Sequence, residues 1–282
     1  MKEYYPQQPD NSPTDTVFTD MLSDIILYGE DITTRNSDAK RLTTLAAVFY
    51  STPLVSIRRT AWRSAIAEFE WFLSGSPYVS DLPDKVKKWW LPWADKVTSR
   101  IWGNYSEQFR AFYGREGKPV DQIAYLINAI ANHPYGRRSV ITTWNTADMV
   151  SDQNPITSCH GTVIQAFVKT NNTLDLTMYQ RSADMVLGVP HNWIQYWAFL
   201  LYLSKQADKE PGSLTWIGGD CHVYDNHVDL AQQMIDRFNN VVIANTPQLV
   251  YVGQKGDEFK ASDFVLVGEY DPLIKESAPM TV

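Results

Sequence analysis

Apolar residues recur at three- and four-residue intervals in five segments of the chain, and this spacing predicts five helices. The clearest segment is 60–73, which the run "SGSP" follows directly, as is typical of a helix end. Its predicted apolar face consists of Trp62, Ala65, Ile66, Phe69 and Phe72. The other predicted helices cover 16–28, 120–132, 193–206 and 228–238.

Runs rich in β-branched and aromatic residues predict strands between these helices. They are "TTLAAVFY" (43–50), "PLVSI" (53–57), "SVITTW" (139–144), "SLTWIG" (213–218), "QLVYVG" (248–253) and "DFVLVGEY" (263–270). Within 161–182, two apolar runs flank the polar turn "TNNT", and this pattern predicts a β-hairpin.

Two polar stretches and the N-terminus interrupt this pattern. "EDITTRNSDAKRL" (30–42) predicts a charged loop, and "KVKKWWLPWADK" (85–96) contains Pro92, which excludes a long regular helix. Residues 1–15 are rich in Pro, Gln, Asp, Ser and Thr and predict a flexible tail before a single domain at 16–282. Because helices and strands follow one another without regular β-α-β alternation, the predicted fold class is α+β.

Composition and charge narrow the classes of function. The chain has 282 residues, of which 44% are hydrophobic and 13% aromatic, and this is enough apolar material for one large core. A net charge of -7 argues against a protein that coats nucleic acid by electrostatic attraction. A small anion can still bind wherever a few arginines converge.

Cysteine count and hydropathy indicate a protein of the reducing cytosol. The two cysteines belong to no Cys-x-x-Cys pair, so neither a disulfide scaffold nor a structural zinc site is expected. The N-terminal segment lacks the apolar core of a signal peptide, and no run of about 18 apolar residues occurs. We therefore expect a cytoplasmic protein without membrane or nucleic-acid partners.

Cys159, in the stretch "NPITSCHGTVIQ" (154–165), is the first candidate for chemistry. A lone cysteine is usually an inert buried residue, but it can also be a nucleophile or a metal ligand. The adjacent His160 and nearby arginines would favour a thiolate, because positive charge lowers the pKa of a thiol. The residues alone leave these three alternatives open.

The stretch "YQRSADMVLGVPHN" (179–192) combines groups that suit a nucleotide. Arg181 and Ser182 follow a predicted strand, where a guanidinium and a hydroxyl can hold a phosphate together. The residues after them would form a turn before the next helix. In that turn Asn192 would either cap the helix or pair with a ring that presents a donor and an acceptor, as uracil does.

Two further segments supply polar candidates. "GRRSV" places Arg137 and Arg138 side by side, either as a simple surface pair or as ligands of an anion. "GGDCHVYDNH" places His222 and Tyr224 on one face of an extended segment. The histidines that a metal site would use are His191, His222 and His227. No HExxH or comparable ligand set occurs, so we expect no metal.

Taken in this order, the motifs of the chain resemble the thymidylate synthase family. The segments that carry the resemblance are "EFEWFLSG", "WWLPWAD", "GRRSVITTWN", "SCH", "YQRSADMVLGVPHN", "GGDCHVYDNH" and the terminal "APMTV". The resemblance extends from about residue 16 to residue 282 and implies one domain with a mixed β-sheet packed by helices. It also implies a homodimer in which a sheet face forms the interface and both subunits contribute to each active site.

The resemblance implies that dUMP is the substrate and that Cys159 attacks carbon 6 of the pyrimidine. Carbon 5 would then take a one-carbon unit from 5,10-methylenetetrahydrofolate, which is the implied co-substrate. The implied catalytic residues are Cys159, Glu68, His160, Tyr105, Asp184 and Asn192. The implied nucleotide-binding residues are Arg181, Ser182, Asn192, His222, Tyr224 and Arg35, with Arg137 and Arg138 from the second subunit.

The same resemblance assigns a set of residues to the folate. They are Trp90, Trp93, Asp184, Gly188, Arg58 and Ile156. The C-terminal "APMTV" would close over the ligands. Trp90 and Trp93 would otherwise be ordinary core aromatic residues.

The chain departs from the family's pattern near the implied phosphate site and near the nucleophile. The region "TTRNSDAKRL" (33–42) lacks the family's usual glycines, so either Arg35 or Arg41 would meet the phosphate. Ser158 stands where a proline usually precedes the nucleophile, and His191 stands where a phenylalanine is usual. Cytosine-specific relatives carry an aspartate at the position of Asn192, so the asparagine implies a uracil base.

These departures resemble bacteriophage relatives that hydroxymethylate the nucleotide. In both reactions carbon 5 carries an exocyclic methylene group, which hydride converts into a methyl group and water into a hydroxymethyl group. We therefore expect a dUMP hydroxymethylase, in the host cytoplasm if a phage encodes it. A thymidylate synthase is the alternative, and a non-catalytic nucleotide-binding relative is a further one.

Overall fold

The computed structural model describes residues 14–35, 37–151, 156–241 and 247–275, together with Ala278 and Met280. Most of the predicted tail, residues 1–13, lies outside this described part. The helices of the described residues are α1 (Thr14–Tyr28), α2 (Trp62–Ser74), α3 (Asp84–Trp90), α4 (Tyr105–Arg110), α5 (Gln122–Asn132), α6 (Gly188–Gln206) and α7 (Val228–Asn240). The strands are β1 (Glu30–Thr33), β2 (Asp38–Phe49), β3 (Phe112–Tyr113), β4 (Pro119–Val120), β5 (Val140–Ile141), β6 (Val163–Val168), β7 (Thr173–Asp184), β8 (Glu210–Tyr224), β9 (Gln248–Tyr251) and β10 (Phe264–Val267).

A six-stranded mixed sheet organises the molecule. Its strand order is β1-β2-β8-β7-β6-β5; β7 and β8 run parallel, and the other neighbours run antiparallel. Helix α6 packs against β7 and β8, α1 packs against β2, and α2 packs against α6. The α+β class predicted from the sequence is therefore confirmed.

The five predicted helices are present with small shifts at their ends. Helix α2 buries the whole predicted apolar face and ends at Gly75, whose φ of 84° is the left-handed conformation that glycine adopts readily. Helix α6 begins at Gly188, so the predicted turn before residue 193 and the capping role of Asn192 are wrong. Pro190 lies in the first turn of α6, where a missing N–H costs no helical hydrogen bond, and the helix therefore continues through it.

The predicted charged loop at 30–42 is wrong, because these residues form the antiparallel pair β1–β2. Opposite charges face each other across the pair: Asp31 is opposite Lys40, with a 2.7 Å contact, and Glu30 is opposite Arg41 and bonds to it. An edge hairpin that is mostly exposed can be built from polar residues, so its sequence lacks the alternation of a half-buried strand.

The predicted strand at 53–57 is also wrong. Its apolar residues are fully buried, but its backbone bonds to helix α1 instead of to a sheet. The N–H groups of Ser56 and Ile57 donate to Oδ1 of Asp15 at 2.8 and 2.7 Å. A side chain therefore satisfies donors that a strand ladder would otherwise satisfy.

The remaining predicted strands are confirmed, with different lengths. The hairpin predicted at 161–182 is β6–β7. The run at 213–218 belongs to the much longer β8, whereas 139–144 contributes only the two residues of β5. Strands β9 and β10 form a separate two-stranded sheet. Within the described part of the chain, no helix is both long and apolar enough to cross a membrane.

Candidate active site

Cys159 lies in the short segment that leads into β6, beside the end of β7. Its backbone N–H donates to the hydroxyl of Tyr105 at 2.7 Å, and its carbonyl accepts the N–H of Ser182 at 3.2 Å. Gly161 follows with φ 63°, and a Cβ atom there would lie 2.0 Å from the Tyr196 hydroxyl. Only glycine therefore allows this turn, which leaves the Cys159 side chain half-buried.

Arg181 brings a positive charge to the thiol. One of its guanidinium nitrogens lies 3.8 Å from Sγ of Cys159, and its Nε donates to the Ser158 carbonyl at 3.3 Å. The β2–β8–β7 ladder skips Thr44, Gly219 and Arg181, which lie in one row across the three strands. A Cβ on Gly219 would lie 2.4 Å from the Tyr179 hydroxyl and 3.1 Å from the Arg181 carbonyl, so a side chain there would displace its neighbours.

The pKa of the Cys159 thiol results from opposing effects. Burial raises the pKa, the positive charges of Arg181 and Arg35 lower it, and the net result lies above the ordinary value. The expected contribution of His160 is absent, because burial lowers the pKa of its imidazole to about 3 and keeps it neutral. Nδ1 of His160 lies 3.0 Å from the Tyr196 hydroxyl. The arginines therefore favour the thiolate, and the histidine does not.

The choice between Arg35 and Arg41 now favours Arg35. The exposed Arg35 acts electrostatically on Cys159. Arg41 bonds instead to Glu30, and its guanidinium contacts Asp220 at 3.3 Å. Its charge is therefore already engaged within the sheet.

Tyr105 connects the thiol segment to the aromatic core. Its ring stacks on His160 with centroids 4.5 Å apart and on Phe72 with centroids 4.4 Å apart. Its hydroxyl accepts the N–H of Cys159, as described above, and lies 3.4 Å from the N–H of His160. Burial holds the pKa of this phenol well above its ordinary value, so it stays protonated. The Tyr105 hydroxyl can therefore donate a hydrogen bond next to Cys159.

Glu68 is a buried carboxyl on the face of α2 that looks toward α3 and α6. One of its oxygens accepts Nε1–H of Trp90 at 2.6 Å, and the other accepts Nε2–H of Gln195 at 2.8 Å. Burial raises the pKa of Glu68 to about 7, against the lowering effect of these two donors. A carboxyl that titrates near neutral pH can both take up and release a proton.

Asn192 is held by two glutamines that sequence reasoning missed. Its Oδ1 accepts Nε2–H of Gln180 at 2.9 Å, and its Nδ2–H donates to Oε1 of Gln195 at 3.1 Å. Oε1 of Gln180 in turn accepts Nε1–H of Trp216 at 2.9 Å. The available signal was Gln195 itself, a lone amide three residues after Asn192 within the apolar run of α6.

Asp184, His222 and Tyr224 meet where β7 and β8 end. Asp184 is opposite His222 in the ladder, and its Oδ1 accepts the N–H groups of Val186 and Leu187 at 3.1 and 3.0 Å. Nδ1 of His222 lies 2.9 Å from Asp220, and the rings of His222 and Tyr224 are 4.8 Å apart. Ser182 belongs to the same end of β7.

The residues assigned to the folate differ in how far they are exposed to solvent. Trp90 and Trp93 are neighbours with ring centroids 6.1 Å apart; Trp90 is buried and Trp93 is 40% exposed. Gly188 is the first residue of α6, and the N–H of Ile156 bonds to the Trp102 carbonyl. Arg58, however, is 3% exposed, and its guanidinium bonds to the carbonyl of Val186 at 2.8 Å.

The remaining candidates are the pair of adjacent arginines, the metal ligands and the C-terminal segment. Arg137 and Arg138 are exposed just before the edge strand β5. No three His, Cys, Asp or Glu side chains of the described residues converge as metal ligands. In the C-terminal "APMTV", only Ala278 and Met280 belong to the described part, so its predicted closure lies outside the described residues.

Known proteins are similar in sequence to this chain over most of its length. The family model described as thymidylate synthase matches residues 16–282. The thymidylate synthase of Cereibacter sphaeroides is 31% identical over 252 residues, covering 79% of this chain and 82% of that protein. The thymidylate synthase of Corynebacterium aurimucosum is 32% identical over 223 residues, covering 79% of this chain and 80% of that protein. The chain therefore belongs to the thymidylate synthase family.

Proposed function

We propose that the protein methylates dUMP at carbon 5, using 5,10-methylenetetrahydrofolate and releasing dTMP and dihydrofolate. The observation that carries this proposal is the convergence of Cys159, Arg181, Asn192 and Glu68 from four separate elements. These groups supply a nucleophile, a charge for an anion, an amide for a pyrimidine edge and a carboxyl that titrates near pH 7. They match the chemistry named for both relatives, which are thymidylate synthases.

Cys159 starts the reaction in this proposal. Its thiolate forms a bond to carbon 6 of the uracil, and the electron pair of the 5,6 double bond moves toward carbon 5 and the O4 carbonyl. The Asn192 amide donates to O4, where negative charge develops. Arg181 and Ser182 hold the phosphate. Arg35, together with Arg137 and Arg138 of the second subunit, supplies further positive charge that neutralises it.

Carbon 5 then bonds to the one-carbon unit as the bond from that unit to N10 of the folate breaks. Carbon 5 later loses its proton while the bond to N5 breaks, which leaves an exocyclic methylene group. Hydride from the released tetrahydrofolate converts this group into a methyl group, and the Cys159 thiolate leaves carbon 6. The Tyr105 hydroxyl, which accepts the N–H of Cys159, assists the proton transfer from carbon 5, and the Glu68 carboxyl takes up and releases protons near neutral pH. His222 and Tyr224 bind the ribose. Asp184 is placed at the pterin.

The co-substrate's acidic tail fits a second feature of the chain. A cavity of about 520 Å³ lies beside the start of α2 and includes Asp271 among its lining residues. Its cationic lining residues are Arg59, Arg63, Lys85 and Lys275. We place the carboxylates of the folate tail here, with the exposed Arg59 in the role first assigned to its buried neighbour Arg58.

The comparisons favour methylation over the hydroxymethylation expected from the sequence. Both reported relatives carry the name thymidylate synthase, and neither is named a hydroxymethylase. The rings of Trp90 and Tyr105 are buried and pack edge to face, Trp90 bonds to Glu68, and Tyr105 bonds to the N–H of Cys159; such buried rings exclude water. Exclusion of water supports hydride transfer to the exocyclic methylene group.

One observation favours hydroxymethylation as a second candidate. The hydroxyl of Ser158 is buried directly before Cys159, and none of the described residues bonds to it. A buried hydroxyl without a protein partner commonly binds a water molecule. Such a water beside the nucleophile would add to the methylene group, giving hydroxymethyl-dUMP and tetrahydrofolate.

Product identification separates the two candidates. The enzyme is incubated with dUMP and methylenetetrahydrofolate, and both products are identified by mass spectrometry. We expect dTMP with dihydrofolate; hydroxymethyl-dUMP with tetrahydrofolate would overturn methylation in favour of the second candidate. A Ser158→Pro variant is the matched control, because it removes the hydroxyl and would raise the methyl fraction only if a Ser158-bound water takes part.

We also propose that the protein is a homodimer built on the outer face of the six-stranded sheet. Val163 and Tyr179 are directly opposite each other on this face and are 43% and 38% exposed. Phe167 is 45% exposed and lies on the same face as Val163, because the two residues are four positions apart on β6. An exposed apolar sheet face of this kind favours a self-complementary partner.

A further inference from the structure

A chain of hydrogen bonds with a single direction runs through the candidate site. Nε1–H of Trp216 can only donate, so the oxygen of the Gln180 amide faces Trp216 and its nitrogen faces Asn192. The Gln180 nitrogen also donates to the Ser182 carbonyl at 3.1 Å. Because a carbonyl can only accept, this contact requires the same orientation of the Gln180 amide. Asn192 therefore turns its oxygen toward Gln180.

The hydrogen bonds at the Gln195 end of this network run in the same direction. The Gln195 nitrogen donates to the Ala65 carbonyl at 2.9 Å and to the Glu68 carboxyl at 2.8 Å, and both of these groups are acceptors. The Gln195 oxygen must therefore face Asn192, and it accepts the Asn192 N–H. Gln195 is fully buried, so water cannot replace these partners.

We propose that Gln195 is a positioning residue that sets the base preference of the site, because it holds Asn192 in the one orientation that suits uracil. A freely turning asparagine would serve either pyrimidine. In the observed orientation Asn192 keeps one lone pair and one N–H, which complement N3–H and O4 of uracil. Cytosine presents the reverse pattern and requires the amide to turn over.

Turning the Asn192 amide over would oppose like groups on both sides. Its oxygen would face the oxygen of Gln195, and its nitrogen would face the nitrogen of Gln180. Gln195 cannot follow, because its oxygen would then face the Glu68 carboxyl and the Ala65 carbonyl. Ala65 and Glu68 of helix α2 thus contribute to base selection, because they fix the orientation of Gln195 on α6.

The test compares two buried glutamines of the same helix. In Gln195→Met the size is kept and all three hydrogen bonds of Gln195 are lost, so only Gln180 still opposes the turned-over amide of Asn192. Gln206→Met is the matched control: Gln206 is also buried on α6 and bonds to the Gln254 carbonyl and the Gly256 N–H. It lies 11 residues further on, about 16 Å along the helix axis.

The inference rests on the proposed function, and the readout is the Kd of each variant for dUMP and for dCMP. For Gln195→Met we expect the ratio Kd(dCMP)/Kd(dUMP) to fall at least about tenfold, the effect of one buried hydrogen bond. Gln206→Met should lower the melting temperature similarly and leave the ratio unchanged. A ratio within about twofold of wild type in Gln195→Met would overturn the inference.

A conservative variant separates positioning from packing. The carboxyl of Gln195→Glu stays protonated beside Glu68, so it offers a donor to Glu68 and an acceptor to Asn192. We expect it to restore the wild-type ratio. If Gln195→Met does not fold, Gln195→Asn replaces it, because one methylene less cannot span Asn192 and Glu68. Wild-type protein that binds neither nucleotide would refute the proposed function and not the positioning of Asn192.

Discussion

The thiol of Cys159 has two kinds of neighbours with opposite effects on ionisation. Burial disfavours the thiolate, while Arg181 at 3.8 Å and Arg35 favour it. A phosphate bound to the same arginines would offset part of their charge, so ionisation and phosphate binding are linked at this site.

Replacing Cys159 with alanine should abolish turnover without abolishing nucleotide binding. Apart from the arginines that complete the phosphate site, the groups proposed to hold the nucleotide lie on β7, β8 and α6 and remain in place. We expect kcat to fall by about 10⁴-fold or more, as for other enzymes that lose a covalent nucleophile. Turnover is measured spectrophotometrically, and dUMP binding by calorimetry. Residual activity near the wild-type value would show that Cys159 is not the nucleophile.

Replacing Asn192 with aspartate should move the base preference toward cytosine. The new carboxyl would face the oxygen of Gln195, so burial and this neighbour would keep it protonated. A protonated carboxyl offers an O–H to N3 of cytosine and an oxygen to its amino group. We expect kcat/KM for dCMP relative to dUMP to rise by roughly 10²-fold. Unchanged selectivity in kcat/KM would refute the role of Asn192.

At the scale of elements, contacts between α2 and α6 hold the two halves of the site together. The carboxyl of Glu68 and the carbonyl of Ala65, both on α2, bond to Gln195 on α6. Nε2 of His191, also on α6, accepts the N–H of Ala61 just before α2 at 3.2 Å. Nδ1–H of His191 donates to the Leu187 carbonyl at 2.7 Å, so both ring nitrogens are engaged.

His191 should make stability depend on pH below neutrality. Burial, with help from the charge of Arg58, lowers the pKa of His191 to about 4, whereas an unfolded histidine titrates near 6.5. Between these values the unfolded chain takes up a proton that the folded chain does not. The contribution of His191 to the free energy of unfolding therefore falls as the pH drops from about 6.5 to about 4, by about 2–3 kcal/mol, and is unchanged above 6.5.

The variant His191→Gln separates this effect from the hydrogen bonds. Glutamine can donate and accept but does not titrate, so urea unfolding should show a smaller loss of stability between pH 6.5 and 4. In the variant, His160, whose pKa burial also lowers, still acts in the same direction, whereas Glu68 and Asp15, whose pKa values burial raises to about 7 and about 6, act in the opposite direction. An unchanged slope would mean that His191 is protonated in the folded protein.

At the scale of the whole molecule, the proposed homodimer would give the exposed arginines before β5 a role in an active site. The charges that act on Cys159 come from Arg181 and Arg35 of its own chain. Arg137 and Arg138 are exposed instead at the edge strand of the sheet whose outer face carries Val163 and Phe167. A dimer through this face is the arrangement in which they would serve the neighbouring site.

Mixing two inactive variants tests the shared site. Cys159→Ala and Arg138→Ala are combined after subunit exchange by mild denaturation. Random pairing makes half of the dimers mixed, and each has one intact site, so about a quarter of the wild-type sites should recover. Activity is measured before and after exchange. No recovery after exchange, verified with labelled subunits, would mean that each chain builds its site alone.

Local pattern was sufficient where the physical cause is local. The period of apolar residues in α2 and α6 follows from the faces that these helices bury, so the sequence by itself determined that they are helices. It also determined the β6–β7 hairpin, because two apolar runs flank a polar turn there. The motifs of the chain, taken together, likewise indicated the family, which the match over residues 16–282 confirms.

Only the tertiary structure decided contacts between residues that are distant along the chain. Gln195 and Glu68 are 127 residues apart, and no periodicity indicates that one amide meets the other residue's carboxyl. The β1–β2 hairpin was missed because its polar residues satisfy each other across the pair. The pKa of Cys159 was misjudged because burial depends on the packing of every neighbouring element. Side-chain chemistry is set by the sequence, whereas its partners and its dielectric surroundings are set by the fold.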